Sequence, residues 1–174
     1  MVTLDTIANQ ALQKLGVQGI SSLEEDTEVA KDCRLALPSV IGSLLRRYSW
    51  GFAETVQIVP RINWEDNGTY KFRFPSGFIS LLHTERDWEV LGEYIYTSND
   101  QPIRLKYIRY VEDPRRWDHL FRECVVLKLA VTLCDRLVQS ESKKAFLSQE
   151  LKSALEEAKE QERSGRDNQP WQWG

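Results

Sequence analysis

The chain has no run of about 18 apolar residues, the least that crosses a bilayer as a helix, so no membrane span is expected. Its opening, MVTLDTIANQ, lacks the basic and apolar regions of a secretory signal, and synthesis in the cytoplasm of the producing cell is the expectation. Cysteine is scarce. The three residues, Cys33, Cys124 and Cys134, are widely spaced and set in helical patterns, with no Cys-x-x-Cys pair among them. They read as reduced core thiols, against both a disulfide framework and a zinc site. Histidine is scarcer still: His83 and His119 stand in no metal-binding or nucleophile-activating spacing. Glycine-rich phosphate loops are missing, since the glycines of NGT, PSG and LGE are isolated turn residues. Neither charge dominates, with 23 basic against 26 acidic residues and a net charge of −3. A dedicated DNA-binding domain usually carries a marked basic excess. These absences leave no catalytic constellation, no metal site and no cofactor site, and the chain is expected not to be an enzyme.

What is present is a helical pattern interrupted by an alternating one. Leu4, Ile7, Ala8, Ala11, Leu12 and Leu15 recur at helical spacing, with Thr3 as the N-cap and Gly16 at the left-handed closing position. VQGISSLEED is a connector whose Ile20 and Leu23 should tuck onto the core. Asp26 or Thr27 then caps a second helix running to about Ser49, its apolar face formed by Ala30, Cys33, Leu37, Val40 or Ile41, Leu44 and Tyr48. Pro38 falls inside it, predicting a kink near Arg34 to Pro38 or a break into two helices.

From about Glu54 to Tyr110 the period becomes two. TYKFRF sets Tyr70, Phe72 and Phe74 against Lys71 and Arg73, and IRLKYIRYV alternates until a phase slip at Ile108 that a bulge would produce. Turn formers at EDNG, PSG and SNDQP separate the runs, so roughly four to six antiparallel strands are expected. Asp113 and Pro114 read as the cap and first-turn proline of a third helix, Trp117 to Val138, which is apolar on so much of its circumference that it should lie centrally. A fourth helix, about Ser142 to Arg163, carries a narrower stripe of Leu147, Leu151, Ala154, Leu155 and Ala158 and should lie outside. The fold class is α+β: a four-helix bundle with an antiparallel β insertion between helices 2 and 3 and an extended C-terminal tail. Residues 1–53 and 113–164 form the two halves of the bundle, 54–112 the insertion and 165–174 the arm.

Three features ask for partners. Arg46 and Arg47 close helix 2, where they complement the helix dipole; Arg115 and Arg116 open helix 3, where they oppose it and invite a carboxylate or phosphate. All four are candidate subunit-interface residues, with intra-protein or subunit pairing preferred over nucleic acid. Trp50 and Phe52 pack a hinge, and Trp64, Trp88 and Trp117 border the sheet as candidate core. The closing RDNQPWQWG is polar and without period, yet holds Trp171 and Trp173. Termini fray and exposed indoles are costly, so these rings either fold back or are received by another molecule. Pro170 stiffens the approach. Pro170, Trp171 and Trp173 are therefore candidate anchors in a partner's groove.

The order of several stretches resembles the head-to-tail adaptor, or tail tubular protein A-like, family of short-tailed bacteriophages. ANQALQKLGVQGISSLEEDTEVAKDC is similar to its opening helix, connector and second-helix start, and LLRRYSWGFAE to its junction. YKFRFPSGFISLL, then WEVLGEYIYT and IRLKYIRYVEDP, resemble its strands and exit, and LFRECVVLKLAVTLCDRLVQS its long third helix. The resemblance spans about residues 4–160. It implies a ring of twelve subunits at the head–tail junction of the virion, bound to the portal protein and the tail nozzle protein, with DNA passing through without sequence-specific binding. It also implies a non-enzymatic protein needing no cofactor and no membrane. A channel that lets DNA slide should not be strongly basic, which the composition matches. The alternatives are a DNA-packaging accessory or DNA-binding protein, and a small hydrolase using His83 or His119.

Overall fold

Thr3 opens helix α1, Leu4–Leu15, through a capping box: its hydroxyl accepts the Thr6 N–H at 3.2 Å while the Thr3 N–H donates to Thr6 Oγ1 at 3.4 Å. Gly16, at φ 74°, closes it, sending its N–H to Gln13 and the Val17 N–H to Leu12. The connector that follows is pinned by α1 itself. Asn9 clamps Ile20 from both sides, Nδ2 donating to the Ile20 carbonyl at 2.9 Å and Oδ1 accepting its N–H at 2.8 Å. Gly19 is required there, since a Cβ would stand 2.7 Å from Asn9 Oδ1. Asp5 accepts the Leu23 N–H, and Ile20 and Leu23 are buried as expected.

The computed structural model describes residues 2–64, 68–84, 88–98 and 101–167. It is mixed α and β, with four α-helices and two antiparallel sheets, and it divides into two units. One is built from the segments up to Tyr48 and from Val111 onward, the other from Ser49–Tyr110.

In the helical unit Thr27, not Asp26, caps α2, Glu28–Arg47, accepting the Ala30 N–H. Tyr48 turns to extended backbone, ending the helix two residues before Ser49. Pro38 does not split α2: it is solvent-facing, and the helix runs through it. The start of the third helix differs from expectation. Asp113 caps only a 3-10 turn, Pro114–Arg116; Trp117 is extended, and Asp118 caps α3, His119–Leu137, through the Phe121 N–H at 2.9 Å. Two capping aspartates in sequence explain the offset. The indole of Trp117 is buried, donates to the Val111 carbonyl at 2.7 Å and meets Phe121 edge-on at 5.2 Å. Ten buried residues on several faces of α3 let it pack against α1, α2 and α4 together. Helix α4, Glu141–Asp167, buries the stripe Leu147, Leu151, Ala154, Leu155 and Ala158. It continues past Arg163 because one glycine, Gly165, lowers helix propensity by only about 1 kcal/mol. Residues 165–167, expected in the extended arm, instead form the last residues of α4. All three cysteines are free and buried.

Among its described residues the strand unit holds seven strands rather than four to six: β1 Glu54–Val59, β2 Arg61–Trp64, β3 Tyr70–Arg73, β4 Phe78–Thr84, β5 Glu89–Leu91, β6 Tyr94–Thr97 and β7 Ile103–Arg109. They form one sheet in the order β1-β7-β4 and another in the order β2-β3-β6-β5. Val59, Ile103, Leu105 and Tyr107 from the first meet Phe72 and Ile95 from the second in one apolar core, extended by stacked Phe74 and Phe78. The bulge read into β7 is absent there. Its ladder with β1 is unbroken from Glu54↔Ile108 to Val59↔Ile103, and the irregularities lie on β4, between Phe78 and Ser80 and between Leu81 and His83. The apparent slip arises because Tyr107 and Ile108, on opposite faces of a regular strand, are both buried.

Candidate assembly surfaces

His83 on β4 and His119 at the head of α3 are both solvent-facing, and among the described residues no group of three or more His, Cys, Asp or Glu could hold a metal. No helix among those residues is long and apolar enough to cross a membrane.

The four basic residues are all exposed. Arg46 and Arg47 sit in the last turn of α2, with the Arg47 guanidinium 5.9 Å from the Tyr48 ring centre. Arg115 and Arg116 lie in the 3-10 turn ahead of α3 rather than in its first turn, so the dipole argument does not reach them. Arg115 is held within its own loop: Nε and Nη2 grip both oxygens of Asp113, at 2.9 and 2.7 Å. The hydrogen bonds from Arg115 pull the Asp113 carboxyl down to about 2. The carboxylate sought for this pair is thus local for Arg115. Trp88 is 44% exposed, not core, while Trp50 and Trp117 are buried. The Trp64 side chain and the anchor candidates Pro170, Trp171 and Trp173 lie outside the described residues.

Large exposed apolar side chains provide surfaces that sequence reasoning missed. In the strand unit, Val56 and Ile58 are 50% and 66% exposed on the outer face of β1. They sit opposite Lys106 and Arg104 on β7, and Lys106 is paired to Glu54 at 2.7 Å. β1 is an edge strand; among the described residues nothing pairs with its other side. ETVQIV misleads here, because Val56 and Ile58 alternate with the polar Thr55 and Gln57 and so read as the inward phase, whereas the structure turns them outward. On the second sheet Lys71, Arg73, Tyr94, Tyr96 and exposed Leu91 share the outward face, with the Lys71 ammonium 4.0 Å from the Tyr94 ring centre. The helical unit exposes Leu35 on α2 and Phe146 on α4. It also has a groove of 560 Å³ between α1 and the first half of α3, lined by Val2, Ile7, Gln10, Gln13, Lys14, His119, Arg122, Glu123 and Val126.

These are apolar and mixed-charge surfaces suited to protein contacts. The sequence model of one family, described as tail tubular protein, matches residues 4–168, nearly the whole chain. The chain belongs to the tail tubular protein family. Tail tubular proteins are structural components of the phage tail rather than enzymes, so this is a bacteriophage virion protein whose surfaces are to be read for assembly. No curated protein matches the sequence.

Proposed function

We propose that this tail tubular protein is the head-to-tail adaptor, a ring that joins the portal to the tail nozzle and leaves a channel for DNA. The subunit is a four-helix bundle with a β insertion, and the ring holds twelve copies. The family membership over residues 4–168 carries the reading. Supporting it, a closed ring uses head-to-tail contacts and needs two different adhesive faces on each subunit. Both units expose large apolar side chains: Val56, Ile58 and Leu91 in one, Leu35 and Phe146 in the other. The modest net charge of −3 suits a channel through which DNA slides, because many phosphate contacts would hold it.

Portal attachment is assigned to the segment after α4, with Pro170, Trp171 and Trp173 as anchors in the portal or a neighbouring adaptor. Repetition around the ring multiplies a weak single contact through effective concentration. Arg46, Arg47 and Arg116 remain candidates for subunit contacts, and Arg115 joins them through the loop that Asp113 holds in shape. The test is negative-stain microscopy of purified protein mixed with portal. Rings seated on the portal are expected, and their loss on deletion after Asn168 with the fold intact. Protein that stays solitary beside portal overturns the adaptor reading; undiminished docking of the deletion variant overturns the anchor alone.

A further inference from the structure

Each sheet of the strand unit ends in two edges, and the four edges differ in regularity. The β2–β3 ladder shifts register between Arg61 and Asn63, and the β4–β7 ladder shifts twice, but β1–β7 and β5–β6 run without a break. Pro60 alone joins β1 to β2, so these two edges share one side of the packed sheets, and residues 85–88 join β4 to β5 at the other. Each side therefore offers one regular edge, β1 on the first and β5 on the second. Among the described residues neither has a neighbour on its outer side. A regular edge in that state presents its N–H and C=O groups to any strand that fits.

The same two strands hold most of the exposed apolar side chains of the unit. β1 shows Val56 and Ile58; β5, exposed at all three residues, shows Val90 and Leu91, and exposed Trp88 comes just before it. Their charges are complementary. Arg104 of β7 stands directly across from Ile58, and Glu89 begins β5. In an antiparallel pairing that sets Leu91 opposite Val56, Glu89 falls opposite Ile58 and in one row with Arg104. Strands ~4.8 Å apart place Glu89 and Arg104 ~10 Å from each other, a gap that their side chains close above Ile58. A β1 edge paired with another β1 would instead bring Arg104 of both copies together with no added carboxylate.

We infer that β1 of one subunit pairs antiparallel with β5 of the next copy, Val56 against Leu91, so that a sheet of each strand unit continues into its neighbour. This pairing rests on the adaptor reading and supplies the contact that closes the ring. A head-to-tail ring needs two different faces that fit each other, and the opposite sides of one unit provide them. The three residues of β5 allow few ladder hydrogen bonds, so a single contact is weak and repetition around a closed ring holds it.

Disulfide trapping in the assembled ring tests it. The whole chain carrying Val56→Cys with Leu91→Cys, or Ile58→Cys with Glu89→Cys, is mixed with portal, oxidised mildly and run on a non-reducing denaturing gel. All four positions are exposed, and the native cysteines are buried and serve as a silent background. Covalent ladders extending past the dimer are expected, at least ten times the yield from Val56→Cys with His83→Cys, which probes the β4 edge. Equal yield from the His83 pair overturns the pairing in favour of β4, and dimers from Val56→Cys alone overturn it in favour of β1 against β1. Rings in micrographs with no ladder from either pair overturn it and leave the adaptor reading standing; a parent chain that forms no ring on the portal overturns both. A second readout needs no cysteine. Ile58→Glu should lower ring yield at least tenfold, and Glu89→Lys in the same chain should restore it to within threefold; a loss left unrepaired overturns the pairing.

Discussion

Burial of the thiols shapes how the helical unit responds to alkali. Desolvation, aided by the charge of Asp32, pushes the Cys33 thiol up to about 11; desolvation, then the charges of Glu123, Asp118 and Glu157, pushes Cys124 to about 12. A raised native pKa favours the neutral thiol, so the contribution to stability is full below the unfolded value of 9.0 and is lost as pH climbs towards 11 and 12. Each thiol should cost about 1 kcal/mol per pH unit across that window. Urea denaturation at pH 8, 9, 10 and 10.5 should show stability falling less steeply in Cys124→Ala than in the parent. Parallel slopes would mean that the thiol already ionises in the folded chain. The sequence announced these cysteines as core from their helical phase. It did not announce the Asn9 clamp on Ile20 or the need for Gly19 beside it, because both are contacts made across a turn that has no period to read.

Among the elements, α2 carries the most evident local conflict. Pro38 removes a backbone hydrogen bond and crowds the preceding turn at an interior position, a cost of about 3 kcal/mol in a free helix. The helix nonetheless runs unbroken from Glu28 to Arg47, supported by buried Leu37, Val40, Ile41, Leu44 and Leu45. Since Pro38 faces solvent, Pro38→Ala disturbs no packing and should stabilise the chain by about 1–3 kcal/mol, measured by chemical denaturation. A loss of stability would show instead that the proline's bend is needed for the fit of α2 on α3. The four helices were legible because their stripes are long and their caps chemically explicit, as at Thr3, Gly16 and Thr27. Boundaries slipped where a second signal competed: Asp113 against Asp118 at the head of α3, and Gly165 against a helix that continues through it. Strands were less legible. β2 and β5 have only four and three residues, too few to establish alternation, and the buried pair Tyr107 and Ile108 imitates a bulge.

At the scale of the molecule, the decisive feature is apolar surface left uncovered on a chain whose core is otherwise filled. Exposed edge strands are usually blunted by charge, proline or bulges. β4, at one edge of its sheet, has two such irregularities, whereas β1 at the opposite edge keeps a regular ladder and presents Val56 and Ile58 outward. In the proposed ring, β1 would supply one of the two adhesive faces that head-to-tail closure requires. The consequence separates folding from assembly. Ile58→Glu places a carboxylate opposite Arg104 at a position already 66% exposed, so monomer stability should change by about 1 kcal/mol or less. Ring yield, counted in micrographs or measured by sedimentation, should fall at least tenfold, because a charge then has to be desolvated at every interface around the circle. If rings form undiminished, β1 is not the adhesive edge, and the contact must be sought on the Lys71–Tyr94 face or on α2 and α4 around Leu35 and Phe146.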